Sequence, residues 1–265
     1  MDRMSYSLSF IDSHAHLTSP PVYEQIDVLL ERAQKEHVHQ IVNICTDPES
    51  LKKGIELSKK YPWIYQTAAT PPNNVQKEGE AAFETIADYA RKGYLKAIGE
   101  TGLDYYYDYS SKEIQKDFFH RYLHLALECR LPVVIHCREA FADFFEIIDA
   151  EYRIDCRHAP GVLHCFTGTI AEAEEVIKRG WMLSLSGIVT FKKSFELQQV
   201  AKEVPLSQLL IETDTPYLAP QKYRGRSNEP SYIIETARLI ASLKGISLEE
   251  VAHTTSENAR CLFRI

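Results

Sequence analysis

Two histidines separated by one alanine stand at the end of an apolar run near the start of the chain. The run reads FIDSHAHL, and its histidines are His14 and His16. Side chains of a strand alternate between its two faces with a period of two, so both imidazoles point the same way if the strand continues. Two neutral imidazoles on one face can hold a metal ion, but they can equally be ordinary polar residues at a strand end.

Four more residues of metal-binding type follow apolar, β-branched runs elsewhere in the chain. They are Glu100 in IGETGLDYYY, His136 in VVIHCRE, His164 in GVLHCFTG and Asp214 in LLIETDTPYL. The remaining histidines are predicted to lie on helices or connecting segments: His37, His39, His120, His124, His158 and His253. Taken singly, each residue that ends a run is as easily an ordinary polar group as a ligand. As a set at equivalent positions, they favour a metal site.

Eight short apolar runs alternate with amphipathic helical patterns along the chain. The runs that predict strands are SFID, QIVNICT, IYQTAAT, LKAIGET, PVVIHC, GVLHCF, MLSLSG and LLIETD. This alternation predicts a (β/α)8 TIM barrel, with a doubly wound open sheet as the competing fold. Neither G-x-G-x-x-G nor G-x-x-x-x-G-K follows the first strand, which removes the usual nucleotide-binding sheets. The barrel is therefore the better interpretation.

The composition is that of a globular protein with a sizeable core. The chain has 265 residues, of which 45% are hydrophobic and 25% are charged, and its net charge is −7. We expect one domain over residues 1–265. The negative charge argues against a broad basic surface that wraps duplex DNA. It still permits a nucleic acid that is held locally by metal ions and a few arginines.

Cysteine usage and the first residues of the chain both indicate the cytoplasm. The six cysteines form no C-x-x-C pair and no small-domain disulfide framework. The first ten residues, MDRMSYSLSF, contain no apolar run long enough for a signal peptide, and no later segment approaches a membrane span. We therefore expect a cytoplasmic protein that does not insert into a membrane.

The six residues at strand ends would meet at one rim of a barrel, which is where barrel enzymes carry their active sites. Six ligands exceed the four that a tetrahedral ion takes, so two divalent ions are the economical interpretation. The division that we expect is His14, His16 and Asp214 on one ion, His136 and His164 on the other, and Glu100 bridging the two.

Two dications would favour an anionic phosphodiester over a neutral amide, and they would lower the pKa of bound water. Asp214 is the candidate to orient that water and to move its proton. Glu212, two residues earlier, is either an outer ligand or base, or a carboxylate inside the barrel that pairs with an arginine. Mixed His and carboxylate ligation suits Zn, Mn, Co, Ni or Fe better than Mg. The sequence does not choose the metal, and Mg, Mn or Zn are the candidates to test.

With these residues identified, the chain resembles the TatD-type metal-dependent deoxyribonucleases of the amidohydrolase superfamily. The resemblance covers nearly the whole chain and is carried by FIDSHAHL, AIGETGLDYYY, PVVIHCREA, GVLHCFTG, LLIETDTPYLAP and YRGRSNEP, in that order. It implies a TIM barrel of the metallo-dependent hydrolase type, a two-metal site and 3′-to-5′ hydrolysis of DNA, typically of single strands. Glu100 stands where other members of the superfamily often carry a carbamylated lysine, which resembles the TatD branch.

Two stretches depart from the family pattern. Members usually carry G-x-H-P after the third strand, where this chain reads AATPPNNV. The missing histidine is not one of the six ligands, so metal binding should survive. A phosphate contact or protonation of the leaving group there would fall to Asn73 or Asn74. After the fifth strand, Glu139 and Phe141 replace the more usual aspartate and histidine, and we expect this change to affect packing more than chemistry.

Four residues are predicted to contact the substrate: Arg138, Arg224, Arg226 and Asn228. Arg138 could reach a phosphate through a bidentate fork, or it could pair with Glu100, Glu139 or Asp214 instead. The resemblance assigns the loop KYRGRSNEP, which holds the other three, to the mouth of the site.

Three consecutive tyrosines follow the fourth strand, at positions 105–107. Their ring faces could stack with an unpaired base, or they could pack against the helix that follows. We expect at most one of them to stack.

Two other functions stay open at this stage. An ester or amide hydrolase, such as a D-aminoacyl-tRNA deacylase, would use the same site on a different bond. A barrel that binds metal or nucleic acid without catalysis is the third possibility. The complete set of six ligands argues against it, because a retired site need not keep them all. The leading prediction is a metal-dependent 3′-5′ exodeoxyribonuclease whose partner is single-stranded DNA.

Overall fold

The computed structural model describes residues 8–152 and 161–265. Eight strands form one sheet within these residues, and each strand pairs in parallel with the next along the chain. The strands are β1 Phe10–Ala15, β2 Val38–Cys45, β3 Ile64–Ala68, β4 Ala97–Asp104, β5 Val133–Arg138, β6 Val162–Leu163, β7 Met182–Leu185 and β8 Leu209–Ile211.

The sheet closes between β1 and the segment that follows β8. A parallel bridge joins Ala15 to Thr215. The amide of His16 donates to the carbonyl of Thr215 at 2.8 Å, and the amide of Asp214 donates to the carbonyl of His14 at 2.9 Å. The predicted (β/α)8 TIM barrel is confirmed, and the open sheet is wrong. The carboxyl ends of all eight strands therefore converge on one rim.

Helices cover the outside of the barrel, because each long helix has an apolar face that must be buried. In the described part of the chain they are α1 Pro20–Tyr23, α2 Ile26–Lys35, α3 Pro48–Lys60, α4 Glu80–Arg91, α5 Lys112–Cys129, α6 Phe141–Glu151, α7 Ile170–Lys178, α8 Phe195–Glu203, α9 Ile233–Lys244 and α10 Leu248–Phe263. None of the helices in this part of the chain is both long enough and apolar enough to cross a membrane.

The barrel has an apolar interior at the end away from the rim. Residues near the beginnings of strands, such as Ile11, Ala97 and Val162, form a cluster with Leu262 and Phe263 at the end of α10. The last helix therefore packs across that end of the barrel. The opposite end is left to the polar residues of the rim.

Three of the strands that carry predicted ligands end before one of those ligands, since β1 stops at Ala15, one residue short of His16. β6 and β8 stop at Leu163 and Ile211, so His164 and Asp214 lie one and three residues beyond them. The backbone there enters the left-handed region, with φ of 43° at Cys165 and 59° at Asp214. This turns the chain away from the strand direction at the rim.

One prediction about the other histidines is wrong. His39 lies in β2 and not on a helix or a connection, although it is exposed near the start of that strand, far from the rim. Its neighbours Val38 and Ile41 are buried, and they fix the strand there. His158 lies outside the described residues.

Candidate metal centre

A cavity of about 980 Å³ opens at the rim where the strands end. Five of the six predicted ligands line it: His16, Glu100, His136, His164 and Asp214. The sixth, His14, is fully buried behind them. The structure therefore brings together the whole set that the sequence singled out.

The first group of possible ligands consists of His14, His16 and Asp214. The two histidine Nε2 atoms lie 3.3 Å apart, as the shared strand face predicts. They lie 3.6 Å and 3.4 Å from Asp214 Oδ1, respectively. Two imidazole nitrogens and one carboxylate oxygen around a common point can hold one cation.

The second group consists of Glu100, His136 and His164. Glu100 Oε1 lies 3.1 Å from His136 Nδ1 and 3.0 Å from His164 Nε2. Its other oxygen, Oε2, lies 3.6 Å from His14 Nε2 and 3.7 Å from His16 Nε2. Each oxygen of this one carboxylate thus faces a different group of histidines.

The protonation states of two of these donors, His14 and Glu100, suit a metal. Burial, together with the charge of His164, lowers the pKa of His14 to about 3, so its imidazole is neutral and able to donate an electron pair. Burial would raise the pKa of Glu100. The charge of His164 and the hydrogen bonds from neighbouring histidines outweigh burial and hold that pKa well below its usual range. Glu100 is therefore a carboxylate.

Several buried polar atoms at the site have no hydrogen-bond partner among the described residues. They include Nδ1 of His14, Nδ1 of His164 and Oε2 of Glu212. Unpaired buried polar atoms are costly and mark places where an ion or water belongs. These orphaned atoms, the neutral imidazole of His14 and the carboxylate of Glu100 make the residues a good fit for divalent cations.

Glu212 is fully buried beside His164. Its Oε1 accepts the amide hydrogen of Cys165 at 2.6 Å and lies 3.5 Å from His164 Nδ1. No arginine of the described residues pairs with it, so the alternative of an arginine partner is wrong. The carboxylate of Glu212 thus contacts both the backbone just after β6 and the imidazole of His164.

Asp104 is a site residue that the sequence analysis missed. Its Oδ2 lies 2.9 Å from His136 Nε2, and it also accepts the amide of Asn73 at 3.2 Å. β4 continues to Asp104, whereas the sequence predicted its end at residue 101. The signal was present, because the period of two puts Asp104 on the same face as Glu100.

β4 and β5 approach each other closely at this point. Gly102 has a φ of +131°, and a Cβ atom there would lie 2.0 Å from the carbonyl oxygen of His136. Only glycine fits this position, and it lets Glu100 and Asp104 contact the same imidazole from either side.

We expect Asp104→Asn to weaken the binding of a divalent ion about 10- to 100-fold, because outer carboxylates orient and polarise ligating histidines. The asparagine keeps the shape of the side chain but loses the charge that holds His136 Nε2. Calorimetric titration of the chelated protein with Mn²⁺ or Zn²⁺ measures the change. Asp88→Asn, on the outer helix α4, is the matched control. If the wild type, Asp104→Asn and Asp88→Asn bound the ion with equal affinity, Asp104 would not orient His136 for metal binding.

The loop after β3 contributes two asparagines, and no histidine, to the lining of the cavity. Asn73 and Asn74 line the cavity. Thr70 is tied away from it, since its amide and hydroxyl both bond to Tyr122 Oη at 3.0 Å. Phe141 also lines the cavity, and its ring packs 5.7 Å from that of Phe166, which agrees with the packing effect expected there.

Arg138 lines the cavity and pairs with no carboxylate of the described residues. The alternative of an ion pair with Glu100, Glu139 or Asp214 is therefore wrong. Its guanidinium lies instead over the ring of Tyr106, 3.6 Å from the centroid, and leaves its N–H groups available at the rim.

The loop after β8 holds the other three residues predicted to contact the substrate, and none of them lines the cavity. Arg224 lies over the ring of Phe191 at 4.3 Å, and Arg226 is exposed; neither lines the cavity. Asn228 is buried, and its amide donates to the carbonyls of Thr213 and Tyr217 at 2.6 and 2.7 Å. Both amide hydrogens of Asn228 are therefore used to hold the turn that carries Asp214.

Comparison with known proteins gives one consistent family. A family model described as TatD related DNase matches residues 11–264. Over 254 residues the chain is 39% identical to the uncharacterized metal-dependent hydrolase YabD of Bacillus subtilis, covering 96% of this chain and 98% of that one. Over 260 residues it is 32% identical to a Pectobacterium carotovorum protein named 3'-5' ssDNA/RNA exonuclease TatD, with coverages of 96% and 99%.

The fold has a close match among solved structures. The crystal structure of YJJV, a TatD homolog from Escherichia coli, is similar to this chain with a TM-score of 0.89 at 26% identity. The match covers 97% of this chain and 98% of that one. The barrel and its connections are therefore shared over essentially their whole length.

Proposed function

The chain belongs to the TatD-related DNase family and is a metal-dependent hydrolase, and on that premise we propose that it hydrolyses phosphodiester bonds of single-stranded DNA from the 3′ end. One observation carries the proposal. The two oxygens of Glu100 face two separate groups of histidines, an arrangement suited to a pair of cations that share one carboxylate.

The proposed assignment of ligands follows the two groups. His14, His16 and Asp214 would hold one divalent ion, His136 and His164 would hold the other, and Glu100 would be shared. When bound, two such ions lower the pKa of water towards neutrality and offset the charge of a phosphodiester, and Mg, Mn or Zn are the candidates.

Asp214 is the residue proposed to move a proton during hydrolysis. Its carboxylate lines the cavity, and its amide is fixed by the carbonyl of His14 at 2.9 Å. Asn228 holds the turn from the other side. A carboxylate at a fixed position beside the reacting phosphate can orient the attacking water and accept its proton.

Arg138 is the proposed phosphate contact. It lines the cavity without a carboxylate partner among the described residues, so a substrate need not displace an ion pair to reach it. A guanidinium fork matches two oxygens of a phosphate. With a net charge of −7, the protein depends on such local contacts to attract an anionic substrate.

The substrate class is supported by one relative. The Pectobacterium carotovorum protein, 32% identical to this chain, is named a 3'-5' ssDNA/RNA exonuclease. We extend that activity to this chain, with DNA as the principal substrate.

The test uses a 5′-labelled single-stranded oligonucleotide, with a labelled RNA and a duplex of the same sequence for comparison. We expect a ladder of progressively shorter labelled DNA products that requires a divalent metal. Release of amino acid from D-aminoacyl-tRNA without shortening of either oligonucleotide would overturn the proposal in favour of a deacylase. That alternative is kept because the loop after β3 reads AATPPNNV and lacks the histidine of the family's usual G-x-H-P.

A further inference from the structure

Three exposed tyrosines form a surface at the rim next to Arg138, which we call the tyrosine ledge. It consists of Tyr106, Tyr107 and Tyr109, which are 53%, 41% and 68% exposed. Large aromatic side chains are mostly buried in folded proteins, and adjacent exposed rings mark interaction surfaces.

The rings of the ledge pack on one another and stay partly exposed to solvent. Tyr106 meets Tyr107 edge to face, with ring centroids 4.8 Å apart. Tyr107 and Tyr109 lie nearly parallel at 5.3 Å. Tyr105, in contrast, is turned inward, and its hydroxyl donates to Asp143 on α6. Tyr105 therefore packs against the protein, which leaves Tyr106 and Tyr107 as the residues of this run that are free to stack with a base.

The ledge is fixed in position relative to the metal centre. Asp104 Oδ1 accepts the amide hydrogens of Tyr106 and Tyr107 at 3.0 and 3.2 Å. The other oxygen of the same carboxylate contacts His136 Nε2. One buried side chain therefore sets both the orientation of a proposed ligand and the start of the ledge.

Arg138 connects the ledge to the cavity. It lines the cavity, and its guanidinium lies 3.6 Å from the ring centroid of Tyr106 and 5.2 Å from that of Tyr107. An unpaired cation beside exposed aromatic rings matches a nucleotide, in which a phosphate and a flat base alternate along the strand.

We propose that the ledge binds unpaired bases of the strand whose 3′ end enters the cavity, with a base stacked on Tyr106 and the adjacent phosphate on Arg138. This inference rests on the proposed function. It also supplies a physical reason for a preference for single strands, because the bases of a duplex are already stacked and paired and offer no free face to the tyrosines.

The test compares Tyr106→Ala with a matched control, Tyr94→Ala. Tyr94 is 51% exposed and packs edge to face with Tyr89, but it precedes β4 at the end of the barrel away from the rim. Two 5′-labelled single strands serve as substrates: a normal oligonucleotide, and one whose four 3′-terminal residues are abasic. The readouts are kcat and KM for each strand, and the anisotropy of a fluorescent oligonucleotide added to a Glu100→Gln background that does not consume it.

We expect Tyr106→Ala to lower kcat/KM on the normal strand about tenfold, mostly through KM, and to weaken its binding by a similar factor. The variant should lose the preference for the normal strand over the abasic one. Tyr94→Ala should keep that preference, and Tyr106→Phe should restore it because the ring face remains.

If Tyr106→Ala kept the preference for the normal strand over the abasic one and bound the normal strand as tightly as the wild type, the proposed role of the ledge would be wrong. This holds even if the enzyme hydrolyses DNA. A protein that binds the normal strand through Tyr106 but shortens no oligonucleotide would overturn the proposed function and support the ledge. The two failures are therefore distinguishable.

Discussion

Glu100→Gln is expected to lower phosphodiester hydrolysis about a thousandfold or more. The two oxygens of this carboxylate face two groups of histidines at 3.0 to 3.7 Å. Glutamine keeps the shape but replaces one oxygen by an amide nitrogen, which cannot bind a cation, and it removes the negative charge that two dications share. Losing several kcal/mol of stabilisation of transition-state charge corresponds to a factor of this size.

The measurement is kcat/KM on the 5′-labelled oligonucleotide, together with the number of metal ions bound per chain. Glu49→Gln is the matched control, because Glu49 lines the same cavity but is exposed and pairs with Lys53. We expect the control to keep its metal content and most of its activity. A Glu100→Gln protein with two ions per chain and more than a tenth of the wild-type activity would show that this carboxylate is not shared.

Asp214→Asn is the second large effect, with an expected fall in kcat of about 10² to 10⁴ and a smaller change in KM, as for the loss of a general base. The asparagine keeps the backbone hydrogen bond to His14 and the turn that Asn228 holds, so the fold is preserved. What it loses is the charge beside His14 and His16 and the ability to accept a proton.

Single-turnover cleavage with saturating enzyme distinguishes a slower chemical step in Asp214→Asn from weaker substrate binding. The conservative replacement Asp214→Glu keeps the proton acceptor, and we expect it to recover part of the activity. If Asp214→Asn cleaved as fast as the wild type once saturated, Asp214 would be a binding residue and not the proton acceptor.

The ligand set could be predicted because its positions follow from local pattern and fold alone. His14 and His16 share a strand face by the period of two, and Glu100, His136, His164 and Asp214 each stand at or just past the carboxyl end of a strand. In a barrel those ends meet at one rim, so sequence position alone places the residues together.

The partners of side chains could not be predicted in the same way. Arg138 stacks on Tyr106 instead of joining a carboxylate, and Asn228 turns inward to bond two carbonyls. Both outcomes depend on how loops that are distant in sequence pack at the rim. Asp104 was missed for a simpler reason, since the predicted strand stopped at residue 101, whereas β4 continues through Gly102 to Asp104.

Glu100 is proposed to be shared by two ions that would supply the hydrolytic chemistry at this rim. The most direct test of this proposal is to chelate the wild-type enzyme and titrate it with Mn²⁺ or Zn²⁺. Ions bound per chain are counted while the shortening of the 5′-labelled single strand is followed. We expect the shortening of the labelled strand to begin as the second ion binds. Full activity with one ion per chain, or with none, would contradict the proposal.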